Sequence, residues 1–88
     1  MRLSGDFILR QVMDEILAIP VGESAARMSG MLILNPVSRL IWERLGENTD
    51  LPALVSAVTG AFDVSSEQAE ADITEFLEKL RSLNLLSE

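Results

Sequence analysis

Met31-Leu32-Ile33-Leu34 runs straight into Asn35-Pro36, and this junction constrains the chain more than any other stretch. Four apolar residues after Gly30 are too few for a helix and read as a short strand. Asn35 supplies an N-cap oxygen, and Pro36 falls at the first helical position, where its missing N–H costs nothing. A helix follows, with Gly46 suited to the left-handed position just past its end. Strand is therefore expected before the junction and helix after it. A half-buried strand alternates polar and apolar residues, whereas Met31 to Leu34 does not, so the pattern predicts cover on both faces, from the chain itself or from a partner.

Upstream, Phe7-Ile8-Leu9-Arg10-Gln11-Val12 and Ile16-Leu17-Ala18-Ile19 read as a hairpin turning at Met13-Asp14. Pro20 cannot donate to a ladder and ends the second strand or places it at an edge. Val21 to Arg27 lacks sustained periodicity and reads as a connection, which makes Met31 to Leu34 the third strand. Downstream, Asp50 caps a second helix with Pro52 in its first turn, and Leu51, Leu54, Val55, Val58 and Phe62 recur at helical spacing. Ser65-Ser66-Glu67-Gln68 has the pattern of a capping box. In the third and longest helix, Ala69, Ile73, Phe76, Leu77, Leu80 and Leu83 fall on an arc of about 120°. Its acids come early and Lys79 and Arg81 late, as the macrodipole favours. Asn84 can take the left-handed conformation that lets Leu85 and Leu86 pack back. The expected fold class is α+β, one domain over residues 1–88, with a three-stranded antiparallel sheet followed by three helices, βββααα.

The residue inventory leaves little catalytic chemistry. There is no Cys and no His, which removes thiol nucleophiles, thiolate ligands and the physiological-pH base. Without His, none of the serines has an imidazole to activate it. Glu67/Glu70 and Asp72/Glu75 lie one helical turn apart but on the polar side, where carboxylates stay solvated. Neither catalysis, a metal nor a cofactor is expected. Trp42 reads as a core anchor on the first helix. No apolar run reaches about 18 residues and no signal-type stretch follows Met1, so cytoplasmic residence is the expectation.

Fourteen acids against seven bases give a net charge of −7, which repels phosphate and acidic lipid. Two helices joined at Asp63 to Ser66 suggest a helix-turn-helix, yet from Asp63 to Glu78 there are six acids and no Lys or Arg. Nucleic acid is excluded on that ground.

Several ordered pieces carry a resemblance: Pro20-x-Gly22-Glu23, Gly30 before the strand ending Leu34-Asn35, Ile41-Trp42-Glu43, Phe62-Asp63-Val64, and Asp72-Ile73-x-x-Phe76-Leu77-x-x-Leu80 before Leu85-Leu86. In this order the chain resembles the PqqD-like family, named for pyrroloquinoline quinone (PQQ) biosynthesis protein D and known as recognition elements of ribosomally made, modified peptides. Asn84 departs from the family's usual Gly, and Pro36-Val37-Ser38 from its acidic or small residues. The resemblance implies a winged-helix-like fold and a non-catalytic adaptor that binds the leader segment of a precursor peptide. That leader would add as a strand along Met28, Ser29, Gly30, Met31, Leu32, Ile33 and Leu34. Its side chains would lie against the flank formed by Ala69, Asp72, Ile73, Phe76, Leu77, Lys79, Leu80 and Leu83. It also implies a maturation enzyme as recipient, often a radical S-adenosylmethionine enzyme. The reading left beside it is an acidic winged-helix interaction or regulatory module without leader binding. Such a module would be homodimeric through the same strand edge, or monomeric if the edge stays free.

Overall fold

A computed structural model describes residues 1–88. The order of elements is β1 (Arg2–Leu3), β2 (Phe7–Val12), β3 (Glu15–Pro20), α1 (Glu23–Arg27), β4 (Leu32–Leu34), α2 (Pro36–Arg44), α3 (Leu51–Ala61), α4 (Ser66–Ser82) and β5 (Leu86–Ser87). β2, β3 and β4 form one antiparallel sheet in that order, and β1 pairs with β5 beside it. The expected α+β class and its three-stranded sheet are what the chain adopts, and a winged helix approximates the arrangement.

Local chemistry places the helix starts. Asn35 Oδ1 accepts from the Ser38 N–H at 2.7 Å, Asp50 Oδ1 from Ala53 N–H at 2.9 Å, and Ser65 Oγ from Gln68 N–H at 3.1 Å. Each satisfies a donor that the first helical turn leaves without a partner. The Ser65 motif closes on one side only, since the Gln68 side chain donates to Asp72 Oδ1 at 2.8 Å instead of turning back. Asp50→Ala should lower stability by about 1 kcal/mol. A thermal melt checks this, and an unchanged midpoint would contradict it.

Four expectations need correction. Val21 to Arg27 is not merely a connection, because Glu23–Arg27 makes a short helix entered from Gly22 at φ 59°. Gly46 does not take the left-handed conformation: Leu45 is the C-cap in the right-handed region, and Gly46 N–H bonds Glu43 O at 3.2 Å in a tightened last turn. The third strand is limited to Leu32–Leu34, and only one of its faces is covered: Leu32 and Leu34 are buried while Ile33 is 62% and Met31 50% exposed. The alternation is real but hidden, because the solvent-side positions are apolar too. Finally, the chain ends make a small sheet of their own, which the sequence pattern did not indicate.

One core holds these elements together. Ile16 faces Leu34 and Ala18 faces Leu32 across β3 and β4, so their side chains share a face of the sheet. That face packs with Ile41, Trp42 and Leu45 of α2 and its end, Leu54 and Val58 of α3, and Ala69, Ile73, Leu77 and Leu80 of α4. Asn84, at φ 59°, turns the chain so that Leu85 enters the same core, as expected. At the C-terminus, Arg81 Nε and Nη2 donate to Glu88 Oε1 at 3.0 and 2.7 Å. That hydrogen bond holds the Glu88 carboxyl below the ordinary carboxylate range. The pairing therefore contributes above the usual carboxylate pKa and is lost as pH falls through the depressed value.

Candidate functional site

The free side of β4 is the feature that can act on another molecule. Antiparallel ladders alternate between residues that exchange hydrogen bonds and residues that turn their N–H and C=O away. Val21 N–H bonds Asp6 O at 2.9 Å, which fixes the phase of the β2–β3 ladder. With the register Ile8↔Ile19, Arg10↔Leu17 and Val12↔Glu15, those pairs are bonded, and Ile16, Ala18 and Pro20 turn toward the other neighbour. Leu34 and Leu32, opposite Ile16 and Ala18, therefore bond to β3, while Ile33 and Met31 turn their N–H and C=O outward. No backbone bond outside the ladder engages residues 29–34. The outward donors and acceptors are unpaired.

Beside this edge runs α4. Asp72, Phe76, Lys79 and Leu83 recur at i, i+4, i+7 and i+11 and share a flank of the helix. Two hollows lie along that flank, beyond either end of β4. One, of about 330 Å³, lies past the C-terminal end of the strand and is lined by Asn35, Val37, Ser38, Asp72, Glu75, Phe76 and Lys79. The other, of about 130 Å³, lies before the strand, between Ser4 and Gly5, the α1 segment Ser24, Arg27 and Met28, and the end of α4 at Leu83 to Leu85. β4 and the second half of α4 thus run in opposite directions with a hollow at each end.

The sequence-derived residues divide into two groups. Met31 and Ile33 offer outward backbone groups, Met28 and Leu83 line one hollow, and Asp72, Phe76 and Lys79 line the other. Ser29 and Gly30 are exposed just before the strand, Gly30 at φ 92°. Leu32, Leu34, Ala69, Ile73, Leu77 and Leu80 are buried, so their side chains hold strand and helix in place and do not face the hollows. Sequence reasoning missed Asn35, Val37, Ser38 and Glu75. The signal was present, since a helix capped directly at a strand's end must set its first turn beside that end.

Charge on this site is mixed. Asp72 receives the Gln68 amide, and Lys79 forms no ion pair within the chain. Glu67, Glu70 and Glu78 make an acidic surface around from the groove, with Glu75 bordering both, and no group of three or more His, Cys, Asp or Glu is placed to hold a metal ion. No helix is long and apolar enough to cross a membrane.

The family model for Coenzyme PQQ synthesis protein D (PqqD) matches residues 20–86, from the last residue of β3 into β5. The chain belongs to the PqqD family. A solved structure described as TbiB1 in complex with the TbiA(beta) leader peptide is similar to it with a TM-score of 0.72 and 23% identity, covering 99% of this chain and 95% of that one. At that identity the likeness establishes the fold, which this PqqD-family chain shares along essentially its whole length. No curated protein matches the chain.

Proposed function

We propose that this PqqD-family chain is a non-catalytic adaptor that captures the leader segment of a ribosomally made precursor peptide and presents it to a maturation enzyme. The observation that carries the reading is the outward-turned backbone of Met31 and Ile33, with a hollow of mixed character past the strand's end in which Val37 and Phe76 are the apolar lining. An extended peptide adding there gains ladder bonds from the backbone and selectivity from alternate side chains. Leader residues opposite Leu32 and Leu34 would point toward α4, and the one opposite Ile33 would join the outer face of the sheet. A structural relative that holds a leader peptide, as TbiB1 does with TbiA(beta), supports the same use of the fold.

In this reading residues 1–88 act as one recognition domain and do no chemistry themselves, in keeping with a sequence that lacks Cys and His. The recipient is a maturation enzyme, of the radical S-adenosylmethionine class by family resemblance, and the encounter takes place in the cytoplasm. Selection from a displayed library of linear peptides tests the adaptor function. It should enrich segments with apolar residues at every second position, and failure to enrich any peptide would overturn the reading. Among groove variants, Phe76→Ala should weaken an enriched peptide by about 1–2 kcal/mol, roughly tenfold, as measured by calorimetry. Lys79→Glu should cost less than about 1 kcal/mol and its effect should fade with added salt.

A further inference from the structure

The sheet has a second free edge. β2 pairs only with β3, and no backbone bond outside that ladder engages residues 7–12. Exposed edges are ordinarily guarded by short length, proline, lysine or a bulge. Phe7–Val12 has six residues and a single charge, Arg10, while Ile8 and Val12 are 44% and 46% exposed. By the ladder phase established above, Phe7, Leu9 and Gln11 turn their N–H and C=O to this edge.

The geometry points to a second copy of this chain as the occupant, its β2 adding antiparallel to β2 across a twofold axis at Leu9. Residues opposed in such a ladder must share a face, so the axis can pass only through a residue. At Leu9 the three outward-turned residues all find partners, Leu9 with its counterpart and Phe7 with Gln11. Asp6 then lies diagonal to Arg10 of the other copy on each side of the axis, two opposite-charge contacts against the one like-charge diagonal between the two Arg10 side chains, and neither Asp6 nor Arg10 has an ion pair within its own chain. With the axis at Arg10 the two guanidinium groups would face each other, and Asp6 would face Asp14. With the axis at Ile8, Gln11 and Val12 would overhang unpaired. β2 carries no acid, so it is also where two chains of net charge −7 can approach with least repulsion. Pairing at Leu9 joins two three-stranded sheets into one and leaves both β4 edges free at its ends. The dimer does not depend on strand capture at β4; its capacity for two peptides does.

Sedimentation equilibrium of the full chain over a concentration series tests the dimer, with far-UV circular dichroism confirming that each variant is folded. The wild type should approach twice the 9.7 kDa chain mass as concentration rises. Asp6→Arg and Arg10→Asp should each weaken the dimer by about tenfold or more, because each sets like charges on the diagonal. Asp6→Arg combined with Arg10→Asp should restore it. A monomer at all concentrations would overturn the proposal, as would a dimer indifferent to both single changes. So would a dimer that Met31→Pro abolishes while the β2 variants leave it intact, since that one pairs through β4.

Discussion

Trp42→Ala is expected to destabilise the fold by about 3–5 kcal/mol, the largest effect of any single change considered. The indole is only 6% exposed, and its ring meets Phe7 edge-to-face with centroids 5.1 Å apart and planes at 90°. Ile41 and Leu45 are buried in the same core, so this contact ties α2 to the start of β2. Truncation removes the largest side chain at that junction and leaves a cavity that surrounding helices cannot close without moving. A chain of 88 residues has a total stability on the order of 4–13 kcal/mol, so the variant should be largely unfolded at the low end of that range. Urea unfolding followed by fluorescence-independent means, such as circular dichroism, measures the loss. A folded variant with near-normal stability that fails to bind peptide would place the indole at an interface instead.

Met31→Pro should lower the affinity for a captured peptide by about tenfold or more, while leaving the thermal midpoint close to that of the wild type. The N–H removed faces away from β3, so the fold loses no ladder bond, but the incoming strand loses one worth about 0.5–1.5 kcal/mol and meets a bent edge. Leu32→Pro is the matched control. Its N–H bonds β3, and its side chain is buried, so the same substitution one residue on should damage stability before it damages binding. If the two variants behaved alike, the assignment of outward and inward groups on β4 would be wrong.

Local chemistry was the most legible part of the fold. Asn35, Asp50 and Ser65 cap their helices because a side-chain oxygen of that reach satisfies an N–H two or three residues on, whatever the rest of the chain does. The Met13-Asp14 turn and the left-handed Asn84 are of the same kind. Hydrophobicity was less informative, because it does not distinguish a residue that fills the core from one that lies on its margin. Phe76 and Leu83 were grouped with Ile73, Leu77 and Leu80, yet the first two border the hollows and the others are sealed beneath them. The same limit hid the exposure of Ile33, since an apolar residue on a solvent-facing edge looks in the sequence like one buried on both sides. Helix α1 escaped notice for a different reason: five residues carry too little periodicity, and Gly22 provides no side-chain cap.

Strand capture at β4 is tested most directly by amide chemical-shift mapping with a peptide enriched from the displayed library. Addition at this edge should perturb the amides of residues 28–34, with a second set along α4 from Asp72 to Leu83, and should leave α3 unchanged. Perturbations confined to the β2–β3 hairpin or to α3, with residues 28–34 and the flank of α4 silent, would contradict it.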